Sequence, residues 1–179
     1  MNGALLQSDN YENELFGTEN KDGSVSYGFL EKASNGTLLI DEVSEIPLDT
    51  QAKILRVLID QKFKRTNGSK DIYVNTRIIS STSKDLKNEV AIGNFREDLF
   101  HRLNVVPIEL PRLSSRTEDI PLLIKYFQKK VSEINGFPEI EINTQDDLLY
   151  SYNWPGNVRE LRNLVERVSI LSQNENKIN

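Results

Sequence analysis

The stretch N-G-T-L-L-I-D-E-V-S-E-I-P, residues 35–47, decides the fold. Residues 37–41 are too short and too evenly apolar for an amphipathic helix, so they predict a strand buried on both faces of a parallel sheet. Two adjacent carboxylates, Asp41 and Glu42, end this strand. Because α/β folds bind ligands at the carboxyl ends of parallel strands, the acid pair indicates either a ligand site or a solvated strand end that begins a loop.

Segments of strand and helix character alternate through the first two thirds of the chain. Such alternation predicts an α/β fold with a mainly parallel sheet. We expect strands at residues 76–82 and 105–110, a helix of about a dozen residues capped by Asp49-Thr50, and shorter helices at 85–90 and 94–103. Gly23 and Gly28 are expected turn points in the polar segment 18–35.

The strand signals stop at Pro111. Apolar residues at helical spacing then predict helices at 120–134, 144–152 and 158–171. In the first of these, Tyr126 and Ile134 belong to the expected apolar side. The chain is therefore expected to consist of an α/β part, residues 1–112, and a small all-α part, residues 113–179.

Composition excludes several classes of protein. With 37% hydrophobic and 27% charged residues the chain is typical of soluble globular proteins, and no apolar stretch approaches the ~20 residues that span a bilayer. The chain has no cysteine, which excludes disulfides and thiolate metal sites. A net charge of −5 argues against a surface that binds nucleic acid as a whole. We expect a cytoplasmic protein that does not contact membranes.

A nucleotide is the ligand that suits the acid pair. Asp41 would orient Mg²⁺ through its water shell, and Glu42 would polarise a water for attack on a phosphate. The matching phosphate loop would read G-x-x-x-x-G-K-[ST]. Only Gly23 and Gly28 have its spacing, and Phe29 follows them instead of lysine, so residues 1–179 contain no such loop. The sheet is accordingly expected to lack the strand that precedes that loop.

Five sequence blocks occur in one order along nearly the whole chain. They are ELFG (14–17), GTLLIDE (36–42), FREDLFHRLNV (95–105), RTEDIPLL (116–123) and NWPGNVRELRNLVE (153–166). Together they resemble the central AAA+ ATPase domain of sigma-54-dependent transcription activators, the NtrC family. The resemblance implies a P-loop NTPase-like sheet with a C-terminal helical lid, and ATP with Mg²⁺ as cofactors.

The resemblance also implies roles for individual residues. Asp41 and Glu42 match the Walker B acids, the first for Mg²⁺ and the second as the base that readies water. Asn2 matches an asparagine that holds the glutamate inactive, although a polar residue near the start of the chain needs no such role. Arg96 and Arg102 match arginines that reach the nucleotide of the neighbouring subunit; the alternative is a solvated helix face.

Three further positions match nucleotide-sensing residues of the family. Thr82 and Ser83 fall at sensor I, where the family often has asparagine or histidine after the threonine. Arg159 matches sensor II, which the helical lid contributes. These residues are therefore expected to approach the bound nucleotide.

The resemblance implies partners as well. The full protein would assemble with itself as a hexameric or heptameric ring, act on RNA polymerase holoenzyme, and reach DNA through a C-terminal helix-turn-helix outside these residues. The family contacts sigma-54 through a GAFTGA loop, and segment 18–35 has no such motif. NtrX-like response regulators share that departure, and the chain is expected to belong to that subgroup. The rival interpretation is an oligomerisation module of a response regulator that does not hydrolyse nucleotide.

Overall fold

A computed structural model describes residues 1, 11–136, 138–140, 142–144 and 146–175, with side chains through residue 172. The chain divides into two compact units, Met1–Pro107 and Ile108–Asn179, and each is described by itself. In chain order the elements are α1 (Tyr11–Phe16), β1 (Gly17–Glu19), β2 (Val25–Tyr27), α2 (Phe29–Lys32), β3 (Thr37–Ile40), α3 (Leu48–Asp60), β4 (Lys62–Lys64), β5 (Asp71–Tyr73), β6 (Arg77–Ser80), α4 (Leu86–Ala91), α5 (Glu97–Leu103), α6 (Ile120–Asn135), α7 (Asp147–Ser151) and α8 (Asn157–Glu175).

The predicted parallel pairing is present in the first unit. β3 pairs in parallel with β6, and Ile40 lies opposite Ser80 in the register. This arrangement confirms the α/β fold with a parallel sheet. Burial on both faces was wrong, however, because Leu38 and Ile40 are buried whereas Leu39 is 51% exposed. Only one face of this two-stranded sheet packs against other residues that the structure describes, so alternate side chains remain in solvent.

Two short β-hairpins were not predicted from the sequence. β1 pairs with β2 and β4 with β5, both antiparallel, and each strand has three residues. Gly23 lies in the first turn at φ +83°, as predicted, but Gly28 is extended at φ −81° and ψ 171°. Gly28 is needed for another reason, since a Cβ there would lie 2.4 Å from the backbone of Gly17 and Leu15.

The long helix α3 packs against α5 and β4. It begins at Leu48 after Pro47, and no side chain caps it, so the predicted cap at Asp49-Thr50 was wrong. Proline supplies the extended backbone that precedes the first turn without needing a hydrogen-bond partner. Buried Ile54 and Val57 then fix the helix in the core of the first unit.

Residues 105–110 do not form the predicted strand. Val105, Val106, Ile108 and Leu110 are each more than 70% exposed. A strand exists only where its backbone is paired, and none of the six strands in the described residues pairs with this segment. Alternating apolar residues therefore indicated strand propensity, but propensity alone does not supply the partner.

The second unit is helical, as expected. Residues of α6 and α8 form one core cluster with Trp154 and with Leu113 of a short 3-10 turn. The buried members are Leu113, Ile120, Ile124, Trp154, Leu161 and Val165. Trp154 donates from Nε1 to the carbonyl of Leu149 at 2.8 Å, which fixes α7 on this core. Two residues expected on the apolar side of α6, Tyr126 and Ile134, are exposed. The helix buries a narrower stripe than its sequence suggests.

Candidate functional site

The candidate site begins where β3 and β6 end side by side. Ser81 donates its backbone N–H to the Ile40 carbonyl at 2.9 Å, and Val43 donates to the Ser81 carbonyl at the same distance. These bonds extend the parallel ladder one step past both strands. As a result Asp41 and Ser81 lie next to each other at the carboxyl edge of the sheet.

Both carboxylates of the acid pair accept hydrogen bonds from residues that follow β6. Ser81 Oγ donates to Asp41 Oδ1 at 2.5 Å. Ser83 donates to Glu42 Oε2 through its backbone N–H and through Oγ, each at 3.0 Å. The acid pair therefore accepts hydrogen bonds from residues that lie 40 and 41 positions further along the chain.

The segment around Thr82 braces this arrangement. Thr82 Oγ1 donates to Ser44 Oγ at 3.0 Å, and Ser44 is buried. Next along the chain, Lys84 Nζ forms an ion pair of 2.8 Å with Glu45. The hydrogen bond between Lys84 and Glu45 is the main cause that raises the pKa of Lys84. Residues 81–84 and 41–45 are thus joined at four successive points.

Glu42 has an unusual backbone. Its φ of 54° and ψ of 57° lie in the left-handed region, where non-glycine residues are uncommon. Glu42 precedes the short 3-10 turn Val43–Glu45. The strained backbone aims the carboxylate at Ser83, so the direction of this side chain is fixed by the chain path as well as by its hydrogen bonds.

Arg96 lies at the N-cap of α5. Its guanidinium donates to Asp98 through Nε at 3.0 Å and Nη2 at 2.7 Å, a two-point contact that suits a planar group. The hydrogen bond from Arg96 is the largest cause that lowers the pKa of Asp98, and the same bond raises the pKa of Arg96. Within one chain Arg96 is therefore engaged by an acid on its own helix.

Arg102 lies in the last turn of α5 and is exposed. Its Nη2 donates to the Leu58 carbonyl of α3 at 3.0 Å. Both arginines thus belong to one helix, which Leu99 anchors in the core at 0% exposure. Neither arginine contacts the acid pair of its own chain in the contacts described.

Arg159 lies in the helical unit, in the first turn of α8. It lines a groove of about 780 Å³ together with Tyr152, Trp154, Asn163 and Arg167. Tyr152 donates its hydroxyl to Glu160 at 2.9 Å, and this hydrogen bond raises the pKa of the tyrosine. Basic, acidic, aromatic and aliphatic side chains all line the groove.

The structure therefore brings together four of the predicted residues, Asp41, Glu42, Thr82 and Ser83. Arg96 and Arg102 share a separate helix, and Asn2 lies outside the described residues. Sequence reasoning missed Ser81, although it stands in the hydroxyl run S-S-T-S, residues 80–83. That run at the end of β6 was the signal that could have revealed it.

The atoms at the strand ends that could coordinate a metal ion are carboxylate and hydroxyl oxygens. Such hard ligands fit Mg²⁺, which uses one or two carboxylates, keeps several waters and completes its shell with phosphate oxygens. The described residues contain no cluster of three or more His, Cys, Asp or Glu side chains arranged for a metal. The set fits a cation that is brought in with a nucleotide better than one bound by protein alone.

The fold and this site define a class of protein. Residues 114–179 match the AAA+ ATPase lid domain, and residues 1–109 match the sigma-54 interaction domain. The chain belongs to the sigma-54 interaction domain family of NtrC-type transcription regulators.

Its relatives are bacterial regulators. The nitrogen assimilation regulatory protein NtrX of Azorhizobium caulinodans is 45% identical over 174 residues, which is 96% of this chain and 38% of that protein. NtrC of Proteus hauseri is 39% identical over 180 residues, 98% of this chain and 38% of that protein. The crystal structure of NtrX from Brucella abortus in complex with ATP superposes with a TM-score of 0.90 at 47% identity, covering 96% of this chain and 38% of that one.

The chain thus spans somewhat more than a third of the length of these relatives. In the described part of the chain, the helices are too short or too polar to span a bilayer.

Proposed function

We propose that this chain is the ATP-binding part of an NtrC-family transcription regulator that hydrolyses ATP at the subunit interfaces of a ring. Residues 1–112 would form the ATPase portion and residues 113–179 its lid. The observation that carries the proposal is the acid pair held by Ser81 and Ser83 at the carboxyl edge of a parallel sheet. The full-length protein is the natural protein that contains residues 1–179 together with any segment before or after them.

The roles of the acids follow from their positions. Asp41 would orient hydrated Mg²⁺, which supplies positive charge against the β- and γ-phosphates when bound. Glu42 would accept a proton from the attacking water. Ser83 donates two hydrogen bonds to Glu42 Oε2, so Glu42 Oε1 is the oxygen that would accept the proton from water. Thr82 and Ser83 would in this way couple the strand end to the state of the nucleotide.

The arginines would act between subunits. A planar, permanently charged guanidinium stabilises charge on a transferred phosphoryl group better than an ammonium does. Arg96 would release Asp98, and Arg102 would release the Leu58 carbonyl. Each guanidinium would then bind a phosphate of the nucleotide held by the neighbouring subunit. Arg159 would contribute from the lid, and the role of Asn2 stays a prediction.

A pair of neighbouring acids tests the assignment of Glu42. In the full-length protein, Glu42→Gln is expected to lower ATP turnover by on the order of 10² to 10⁴, because the general base is lost while the shape is kept. Glu45→Gln is the matched control, since Glu45 lies three residues further on and pairs with Lys84. Phosphate release measured at saturating Mg-ATP should separate the two variants. Equal rates for both variants would overturn the assignment of Glu42 as the base, and a wild type that binds ATP without turnover would favour the non-hydrolysing module instead.

The hairpin β1–β2 gives the second prediction. Its tip is small, polar and internally bonded, since Asn20 donates to Ser24 Oγ at 2.9 Å and Ser24 Oγ donates to Asp22 at 2.7 Å. No Phe-Thr pair is present that could serve as a GAFTGA tip. We therefore expect the full-length protein not to open sigma-54 promoters and to act on RNA polymerase by promoter binding or occlusion.

Permanganate footprinting with purified sigma-54 holoenzyme measures this directly. A related activator that carries GAFTGA serves as the positive control on the same template. Melting of the promoter that requires both this protein and hydrolysable ATP would contradict the expectation.

A further inference from the structure

Gln51 is a polar side chain in the core of the first unit. It lies in the first turn of α3 and is 0% exposed. A buried amide is tolerated only when its donors and acceptor are paired. The partners of Gln51 therefore show what this residue does.

The amide of Gln51 joins three segments of the chain. Its Nε2 donates to the Ile46 carbonyl at 2.7 Å and to the Asn94 carbonyl at 3.1 Å. Its Oε1 accepts from the Arg96 backbone N–H at 2.8 Å. Both N–H groups of the amide are thus used. The bonds to residues 94 and 96 straddle buried Phe95 in the manner of a peptide group on a neighbouring strand.

These partners lie at two places that matter for the chemistry. Ile46 ends the short turn that follows the acid pair. Arg96 is the N-cap of α5, the helix that also carries Arg102. One side chain therefore connects the acid segment of a subunit to the start of its arginine helix.

We propose that Gln51 is a positioning residue that sets where α5 begins, and thereby how far Arg96 and Arg102 extend toward the neighbouring subunit. The proposal rests on the interface role of the arginines given above. Gln51 itself touches neither nucleotide nor water in the reaction. It acts through the backbone of Arg96.

The chemistry of the three bonds explains why glutamine is required. Glutamate would place a carboxylate oxygen against the carbonyls of Ile46 and Asn94. Asparagine is one methylene too short to reach all three partners. Methionine fills similar space but leaves the Arg96 N–H and two carbonyls unpaired.

Mixed rings test the proposal because they separate the subunit that supplies acids from the one that supplies arginines. Glu42→Gln subunits keep their arginines and Arg102→Ala subunits keep their acids, so their mixture should hydrolyse ATP at one kind of interface. Adding Gln51→Met to the Glu42→Gln subunit is expected to lower kcat of the mixture by roughly 10²-fold, since small misplacements of catalytic groups have effects of that size. Adding it to the Arg102→Ala subunit is expected to change kcat less than about threefold, with KM for ATP unchanged in both.

A matched control accounts for general destabilisation. Ile54 lies one turn further on α3 and is 1% exposed, so Ile54→Val loosens the same helix without touching Arg96. It should have equal small effects in both placements. A loss from Gln51→Met that is the same in both placements would overturn the proposal, because it would show a purely structural role. Gln51→Asn, a milder change, replaces Gln51→Met if circular dichroism shows that the methionine variant is unfolded.

Hydrogen exchange on residues 1–179 tests the same point without ATPase activity. In Gln51→Met the Arg96 amide should exchange about tenfold faster or more, because its acceptor is gone, while amides in the middle of α3 change less. Unchanged exchange at Arg96 would overturn the proposal. If the parent mixture shows no ATPase, the interface role of the arginines has failed, and this exchange measurement still decides whether Gln51 positions α5.

Discussion

Replacing Arg102 by alanine in the full-length protein is expected to lower ATP turnover by on the order of 10³ to 10⁵ while leaving ATP binding largely unchanged. Arg102 is exposed at the end of α5, and its only described hydrogen bond within the chain is to the Leu58 carbonyl. The Arg102 guanidinium can therefore give up this hydrogen bond and reach a neighbouring subunit at a small cost in free energy. Its charge is needed where negative charge develops, so its loss affects kcat and not the affinity for ATP.

Complementation between variants measures whether Arg102 acts across an interface. Arg102→Ala and Glu42→Gln subunits are each expected to be inactive alone, and their mixture should recover part of the ATPase rate. Arg56→Ala is the matched control, because Arg56 is an exposed arginine on the neighbouring helix α3. Arg96→Ala should resemble Arg102→Ala or impair assembly. A mixture with no recovered activity, from variants that still form rings, would show that Arg102 does not serve a neighbour.

The second large effect concerns residues 1–179 as an isolated polypeptide, which are expected not to hydrolyse ATP measurably. Phosphoryl transfer is mostly positioning, and the backbone N–H groups and lysine of a G-x-x-x-x-G-K-[ST] loop hold the β- and γ-phosphates. Residues 1–179 contain no such motif. Asp41 and Glu42 would then face the triphosphate with little positive charge to offset them. Arg159 and a neighbour's Arg102 could attract the nucleotide without aligning it.

Calorimetry and phosphate release test this expectation together. ATP should bind weakly or undetectably, and phosphate release should equal that of a Glu42→Gln polypeptide of the same length. Turnover that disappears in the Glu42→Gln control would contradict our account, because some other part of residues 1–179 would have to replace the phosphate loop.

Local patterns predicted the elements whose partners are close in sequence or whose burial is deep. The helices α3 and α6 were evident because apolar spacing within one segment predicts them, and the run that ends in Asp41 was evident as a strand because it is short and apolar. The two helices need no knowledge of which distant residue lies opposite.

Features that depend on distant partners were missed. The contacts of Ser81 with Asp41 and of Gln51 with Arg96 join residues 40 and 45 positions apart. For segment 105–110 the prediction was wrong in the opposite way, because a strand was predicted where none forms. The sequence pattern suits a strand, but no other strand of the described residues pairs with it. The three-residue hairpin strands were too short to show a period of two.

The left-handed backbone of Glu42 sets stability against activity at this position. Holding a non-glycine residue there costs on the order of 1 to 2 kcal/mol, and glycine or asparagine would relieve much of that strain. Changing Glu42 to glycine or asparagine removes the carboxylate and can therefore raise the free energy of unfolding. Any selection of this chain for thermal tolerance or expression alone would favour losing its proposed base, so such selections must include a test of turnover.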